Sequence, residues 1–311
     1  DPVQNVTILT TTECNARCYY CFEHGIRQYP MTREIADATV KYIKKNYPEK
    51  QLAINWFGGE PLLNFEIIKY ITAQLKESGY EIISHITTNG SLLTKEMIDY
   101  LQREYSDLSF QITIDEIGAK YGEVKRYIDI AKEKAYGRVV QNITQLLDRH
   151  ITTNVRLNFA PSKIERAKEI YVELKKAFEG HDMSSLYMYF APLTLDNDNE
   201  IISDFHGHIE HPFLQAVTQF DEGFPLYKPR YDETVGMVGA FGLMPNAFSC
   251  GMTTKNRICI DADGTLYKCH RLSGRKQYAC GTVFDGIDTN NDYYKIFRNP
   301  IIEDEECKKC S

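Results

Sequence analysis

The feature of this sequence that most restricts its fold is a sixfold alternation of short β-rich runs with longer amphipathic stretches. Helical patterns follow each of the first five runs. The predicted strands are Val3–Thr10, Gln51–Phe57, Ile82–Thr87, Leu108–Asp115, Val155–Phe159 and Leu186–Phe190. The longest predicted helix runs from Tyr121 to Arg149. Parallel neighbouring strands need helical crossovers, so the pattern predicts an α/β fold with a parallel sheet and helices outside it.

The chemically unusual residues of the chain follow the ends of these predicted strands. They are Cys14, Cys18 and Cys21 after the first strand, Gly58-Gly59-Glu60 after the second, Thr88-Asn89 after the third and Asp115 at the end of the fourth. Barrels of parallel strands build their sites at the carboxyl ends of the strands. This placement favours a curved, barrel-like arrangement over an open doubly wound sheet.

Three cysteines lie within eight residues, in the stretch Cys14-Asn-Ala-Arg-Cys18-Tyr-Tyr-Cys21. Short-gap cysteine runs hold iron–sulfur clusters, and three thiolates leave one iron of a four-iron cluster without a protein ligand. A zinc site is the alternative, because His24 could supply a fourth ligand. Both interpretations are open at this point.

The composition and charge of the chain argue against some functional classes. A formal net charge of −7 argues against a broad nucleic-acid footprint, which needs a positive field. The sequence shows no signal-peptide pattern and no apolar run approaching the ~18 residues of a membrane span. Nine cysteines without a signal peptide indicate metal binding in a reducing cytoplasm rather than disulfides.

The cysteine motif resembles that of the radical S-adenosylmethionine (radical SAM) enzymes, CxxxCxxC with an aromatic residue before the last cysteine, here Tyr20. The resemblance implies a partial (β/α)6 barrel and a [4Fe-4S] cluster whose open iron is chelated by SAM. It further implies an electron donor such as flavodoxin or ferredoxin, and cleavage of SAM to a 5′-deoxyadenosyl radical.

The same resemblance assigns residues to SAM. Gly58, Gly59 and Glu60 would bind the amino group, since glycine lets backbone approach a ligand and Glu accepts from an ammonium. The residues implied near the ribose are Thr88, Asn89 and Asp115, and Arg156 is implied at the SAM carboxylate. Glu116 stands where related peptide maturases have Gly, which predicts an extra carboxylate near the substrate.

The last 60 residues contain a second group of cysteines. The segment Arg257–Cys269 alternates around an Asp-Gly turn and predicts a hairpin. Its cysteines resemble the SPASM or twitch extension of peptide-modifying radical SAM enzymes. The implied ligands of an auxiliary [4Fe-4S] cluster are Cys250, Cys269, Cys307 and Cys310. Cys259 is predicted to pack in the core, because free Cys often behaves as a small buried hydrophobe.

Three residues are candidates for the chemistry itself. His270 follows Cys269 where anaerobic sulfatase maturases have an Asp base, and a His could accept a proton near neutral pH. Cys280 is a candidate hydrogen-atom donor or alternative ligand, and Glu116 is the third candidate. His206, His208 and His211 are interpreted as solvated side chains of a polar loop.

Three regions follow from these motifs: a radical SAM partial barrel (1–192), a bridging insertion (193–248) and a SPASM or twitch module (249–311). The expected function is maturation of a ribosomally made peptide by hydrogen abstraction, with formation of a thioether or carbon–carbon cross-link. The expected partners are a peptide or protein substrate and an electron donor, with neither nucleic acid nor membrane. Formylglycine formation on a sulfatase, peptide epimerisation and a zinc-binding scaffold are the alternatives.

Overall fold

The structure is a computed structural model that describes residues 4–159, 163–192 and 257–296. These residues form two compact units. The first comprises 4–13, 25–84 and 257–296, and the second comprises 14–24, 85–159 and 163–192. The division falls within the third strand, after Ser84.

Up to residue 192, the described residues form six strands with a helical connection between each and the next, as the sequence pattern predicts. The strands are β1 (Gln4–Thr11), β2 (Gln51–Gly58), β3 (Glu81–Thr88), β4 (Asp107–Thr113), β5 (Thr152–Phe159) and β6 (Leu186–Pro192). The helices are α1 (Arg33–Asn46), α2 (Phe65–Glu77), α3 (Lys95–Glu104), α4 (Gly118–Lys125), α5 (Lys132–Leu147) and α6 (Ile164–Ala177). Strands and helices fall within a few residues of their predicted bounds, with one exception after β4.

The exception is the stretch predicted as one helix from Tyr121 to Arg149. It forms two helices, because Arg126 adopts a left-handed backbone (φ 52°) directly after α4 and ends it. Arg126 carries no glycine or proline signal, so the break was not visible in the sequence. The amide of Ile128 donates to the carbonyl of Asn15 at 2.9 Å, which holds the break in place through a distant part of the chain.

In the first unit, β1 is the central strand. It pairs in parallel with β2 on one side and with β7 (Arg257–Ile260) on the other. The remaining elements are β8 (Thr265–Tyr267), β9 (Gly281–Thr282), β10 (Gly286–Ile287) and α7 (Asp292–Ile296), with strand order β10-β9-β8-β7-β1-β2. Strands β7 and β8 pair antiparallel around Gly264, whose φ of 82° requires glycine, so the predicted Asp-Gly hairpin is confirmed.

In the second unit, β4, β5 and β6 are parallel neighbours. Their side chains alternate between two faces, as in any strand. One face is fully buried and apolar, with Phe110 and Val155 at 0% exposure. The other is polar, and there the hydroxyl of Tyr189 donates to Gln111 Oε1 at 2.7 Å. The apolar face therefore belongs to the core, and the polar face carries the hydrogen-bonding side chains.

None of the helices that the structure describes is long and apolar enough to cross a membrane.

Candidate active site

The cysteine loop, residues 14–24, carries the three predicted cluster ligands. Cys14, Cys18 and Cys21 are half-buried, and none of the three forms a disulfide. The amide of Cys21 donates to the carbonyl of Cys18 at 3.2 Å, and the amide of Ala16 donates to Cys14 Sγ at 3.3 Å. Successive tight turns therefore present the three sulfurs from one short segment, and at least one sulfur already accepts a backbone N–H.

Burial decides the protonation of these thiols in the metal-free protein. It raises the pKa of Cys18, an effect that nearby Lys125 partly offsets, and it raises the pKa of Cys21 to about 11. Both side chains are therefore neutral thiols at neutral pH. Iron binds thiolates, so uptake of a cluster must release these protons.

The donor set fits an iron–sulfur cluster better than a single metal ion. Within residues 4–159, 163–192 and 257–296, no three His, Cys, Asp or Glu side chains converge closely enough to hold one ion. The ligands of a [4Fe-4S] cluster each bind a different iron and need not converge on one point. Three soft sulfur donors on one loop match that requirement.

Tyr20, in the aromatic position of the motif, belongs to a buried polar triad with Asp115 and Lys125. The Tyr20 hydroxyl donates to Asp115 Oδ2. Lys125 Nζ lies 2.6 Å from the same oxygen and 2.7 Å from the Tyr20 hydroxyl. Burial, and then the charge of Asp115, raise the pKa of Tyr20 well above its ordinary value. The tyrosine is therefore a fixed neutral donor.

Asn15, inside the cysteine motif, connects the loop to the end of β3. Its side chain is 2% exposed; Nδ2 donates to Ser91 Oγ at 3.0 Å, and Oδ1 accepts from Asn89 Nδ2 at 2.8 Å. Thr88 Oγ1 accepts the amide of Gly90 at 3.0 Å. The two residues implied near the SAM ribose, Thr88 and Asn89, thus shape the turn that supports the cysteine loop.

Arg156, implied at the SAM carboxylate, lies half-buried in the polar face of β5. Its Nε donates to Asn158 Oδ1 at 2.8 Å. The amide of Asn158 donates to Asp115 Oδ1 at 3.2 Å, so Asn158 connects Arg156 to the Tyr20 triad. The ends of β4 and β5 and the cysteine loop therefore share one hydrogen-bonded network.

The Gly58-Gly59-Glu60 turn belongs to the first unit and packs on the end of β1. The amide of Gly59 donates to the carbonyl of Thr11 at 3.1 Å, and the amide of Glu60 donates to the carbonyl of Glu13 at 2.8 Å. A Cβ on Gly58 would overlap the carbonyl oxygen of Thr11, and one on Gly59 that of Glu13. The sequence predicts that the backbone of these glycines lies close to a ligand. In the structure, the same glycines lie close to the backbone of Thr11 and Glu13. Glu60 is fully buried, and its Oε1 accepts the amide of Leu62 at 3.1 Å.

We expect Gly58→Ala to lower the free energy of unfolding by roughly 3 kcal/mol or more, because it combines a steric overlap with a φ of 132° that L residues rarely adopt. Gly79→Ala is the matched control. Gly79 also has a positive φ (83°), but a Cβ there meets nothing within 4 Å, so only about 1–2 kcal/mol of backbone strain is expected. Denaturant unfolding of the metal-free protein measures both. Equal losses would contradict the packing role of Gly58.

Glu116, a candidate for the chemistry, is held by an ion pair. Its carboxylate accepts from Nε and Nη2 of Arg166 on α6, and Arg166 Nη1 also donates to Glu169 at 2.8 Å. The side chain of Glu116 is 14% exposed. As a base toward a substrate, Glu116 would first have to leave this bidentate partner.

The C-terminal candidates lie in the first unit. Cys259 is 1% exposed and packs with Leu9 and Tyr267, as its predicted core role requires. Cys280 is also 1% exposed; its Sγ donates to the carbonyl of Leu266 at 3.3 Å, and burial raises its pKa to about 11. Cys280 is therefore a protonated thiol without direct access to solvent.

Cys269 and His270 are both half-buried at the end of the hairpin, where a short 3-10 helix begins. The His270 ring lies 4.5 Å from the ring of Phe57, measured between centroids. The three other predicted auxiliary ligands, Cys250, Cys307 and Cys310, lie outside the described residues, as do His206, His208 and His211. Of the predicted auxiliary ligands, the structure thus places Cys269.

Parallel strands with helical crossovers and a three-cysteine loop after the first strand define an α/β protein whose candidate metal centre lies on that loop. The family model described as the Radical SAM superfamily matches residues 8–173. The chain therefore belongs to the radical SAM superfamily, whose members use a [4Fe-4S] cluster and SAM. This membership decides between the iron–sulfur and zinc interpretations of the cysteine loop.

Two curated relatives have different chemistry. The chain is 30% identical to the radical SAM cyclopropyl synthase TigE of Paramaledivibacter caminithermalis, over 100% of this chain and 66% of that protein. It is 23% identical to a probable GTP 3′,8-cyclase of Saccharolobus islandicus, over 86% of this chain and 83% of that protein. The chain thus spans about two-thirds of the length of the first relative, and its family does not fix its substrate.

Among solved structures, the enzyme anSMEcpe has the same fold. Its complex with AdoMet superposes with a TM-score of 0.71 at 18% identity, covering 100% of this chain and 86% of that chain. Its complex with AdoMet and the Kp18Cys peptide gives a TM-score of 0.70. The predicted fold class, a partial (β/α)6 barrel with a small C-terminal hairpin-containing module, is confirmed.

Sequence reasoning missed Lys125, Asn15 and Asn158. Asn15 lies inside the cysteine motif, so its position between two ligands was the one available signal. Asn158 follows the predicted Arg156 by two residues on the same strand face. Lys125 gave no signal, because a lysine near the carboxyl end of a helix is usually solvated and stabilises the helix dipole there.

Proposed function

We propose that this chain matures a ribosomally synthesised peptide by abstracting a hydrogen and closing a thioether or carbon–carbon cross-link. The observation that carries the proposal is the C-terminal hairpin that ends in Cys269. Its first strand, β7, is hydrogen-bonded to β1, the strand that leads in sequence to Cys14. Cys269 lies at the end of this hairpin, and we assign it, together with Cys250, Cys307 and Cys310, to an auxiliary cluster of the SPASM or twitch type.

A cluster held by Cys14, Cys18 and Cys21 would supply one electron for the cleavage of SAM to methionine and a 5′-deoxyadenosyl radical, which would take one hydrogen atom from the peptide and leave as 5′-deoxyadenosine. An auxiliary cluster held by Cys250, Cys269, Cys307 and Cys310 would accept the second electron, which is released with one proton when the cross-link closes. The peptide would then be lighter by two hydrogens, a net two-electron oxidation.

The relatives support this chemistry without fixing the substrate. The name of TigE is that of an enzyme forming a cyclopropyl group, and ring closure from C–H bonds also removes two hydrogens. The structure of anSMEcpe with the bound Kp18Cys peptide supports a peptide as the substrate. The sulfatase-type alternative is less well supported, because His270 stands where those enzymes have Asp.

The chain's own residues would prepare the reaction. We assign the SAM amino group to Gly59 and Glu60, the ribose to Asn89 and Asp115, and the SAM carboxylate to Arg156. Arg156 is the best placed of these for a planar anion, because its Nη atoms extend beyond the Nε that Asn158 engages. The proposed proton acceptor is His270, whose ring packs on Phe57.

A product-mass experiment tests the proposal. The reconstituted enzyme, SAM and a reductant are incubated with synthetic peptides encoded beside its gene, once in ordinary and once in heavy water. We expect a peptide two hydrogens lighter, with one 5′-deoxyadenosine formed per modification. A peptide of unchanged mass that gains one solvent deuterium in heavy water would instead indicate epimerisation, with Cys280 as the hydrogen donor. Conversion of GTP in a parallel incubation, with every peptide unchanged, would contradict a peptide substrate.

A further inference from the structure

Lys125 is a buried cation that the family resemblance does not assign. It is the last residue of α4, and its side chain is 2% exposed. Its ammonium contacts Asp115 at 2.6 Å and the Tyr20 hydroxyl at 2.7 Å, while Asp115 itself is 5% exposed. A charge buried this deeply requires a specific partner, and Asp115 provides it.

The backbone around Lys125 also holds the cysteine loop. The Lys125 carbonyl accepts the amide of Arg17 at 2.8 Å and lies 3.9 Å from Cys18 Sγ. Three residues later, the amide of Ile128 donates to the carbonyl of Asn15 at 2.9 Å. The segment after α4 is therefore bonded to the loop at several points between its first and second cysteines.

The ammonium lies next to the residues around Cys18. It contacts the hydroxyl of Tyr20, two residues after Cys18, and the carbonyl of Lys125 lies 3.9 Å from Cys18 Sγ. Removing the ammonium leaves the charge of Asp115 unopposed near this sulfur, and removing the carboxylate leaves the ammonium unopposed. Adding an electron to a cluster bound there adds negative charge, which a nearby cation in a low-dielectric environment stabilises.

We propose that Lys125 is a positioning residue of the radical SAM centre, which orients Tyr20 and Asp115 and raises the reduction potential of the cluster bound at Cys18. The inference depends on the cluster ligands and is independent of the peptide substrate. One buried side chain would therefore both hold Tyr20, the aromatic residue of the motif, in position and make the cluster easier to reduce.

Potentiometric titration monitored by electron paramagnetic resonance tests this proposal in the reconstituted holoenzyme without substrate. The relevant signal is the one lost when Cys14, Cys18 and Cys21 are all changed to Ala. We expect Lys125→Met to lower the ratio of reduced to oxidised cluster about tenfold at a fixed potential, a downward shift of ~59 mV for one electron. The matched control is Lys120→Met, in the same helix but exposed, and should leave the potential unchanged.

A variant that removes the negative charge instead of the positive one distinguishes an electrostatic effect from a structural effect. Asp115→Asn removes the negative partner with little change of shape, so we expect the potential to rise. Opposite shifts in Lys125→Met and Asp115→Asn support the proposal. Shifts in the same direction, or an unchanged potential in Lys125→Met with full cluster content, would overturn it. If Lys125→Met takes up no iron, the sign of the Asp115→Asn shift decides: a rise supports the proposal and a fall or no change overturns it.

Discussion

Replacing Cys14, Cys18 and Cys21 together by Ala is expected to abolish SAM cleavage, a loss of about 10³-fold or more, as for removal of an essential catalytic group. The three thiols are presented by one half-buried loop whose turns fix their spacing. Without thiolate ligands there is no iron to transfer the electron that cleaves SAM. The measurement is formation of 5′-deoxyadenosine by reconstituted protein with excess reductant.

Cys259→Ala is the control for this variant. It makes the same chemical change at a thiol that packs against Leu9 and Tyr267. We expect it to cost roughly 1 kcal/mol of stability by loss of buried volume and to leave SAM cleavage intact. Undiminished 5′-deoxyadenosine formation by the triple variant would exclude the cysteine loop as the site of the cluster.

The fold was largely predictable because its signal is periodic and local. Strand and helix patterns repeat six times, and side chains such as Thr32 and Thr94 mark helix starts. Thr32 Oγ1 accepts the amide of Ile35 at 3.3 Å, and Thr94 Oγ1 that of Met97 at 3.3 Å. These capping bonds form within one turn, so the sequence contains the whole interaction.

The parts that were not predicted depend on contacts between distant residues. The break between α4 and α5 is stabilised by a hydrogen bond from Ile128 to Asn15, which lies more than 100 residues earlier. Lys125 is buried because Asp115 and Tyr20 converge on it, and the sequence of its own helix does not predict this burial. For the candidate site, sequence therefore named candidate cofactor-binding residues but missed Lys125, Asn15 and Asn158, which hold them in place.

The Gly58-Gly59-Glu60 turn shows a different limit. The family resemblance assigns the glycines of this turn to SAM, which stays a prediction, and the structure adds that the same glycines lie against the carbonyls of Thr11 and Glu13. Both roles call for the absence of a side chain. A motif alone does not distinguish them, because the physical requirement at the glycine is the same.

The second large effect concerns the auxiliary cluster. Cys269 lies two residues after the end of β8 and is half-buried, whereas Cys259 on the paired strand β7 is fully buried. A cluster ligand needs a sulfur that iron can reach, so the two cysteines of one hairpin should differ in function. We expect Cys269→Ala to lose about four iron atoms per chain, and Cys259→Ala to retain them.

The loss of this iron should affect SAM cleavage and peptide modification differently, although the two normally occur together. SAM cleavage depends on the cysteine loop and should continue in Cys269→Ala, whereas formation of the peptide lighter by two hydrogens should fall about tenfold or more, because the second electron has no acceptor. Iron content and the ratio of product to 5′-deoxyadenosine are the measurements. Cys280→Ala is the third variant of this series. If it loses as much iron as Cys269→Ala, Cys280 is also a ligand of the cluster. Full iron and full product in Cys269→Ala would refute the auxiliary cluster, since the oxidation would then need no acceptor at that cysteine.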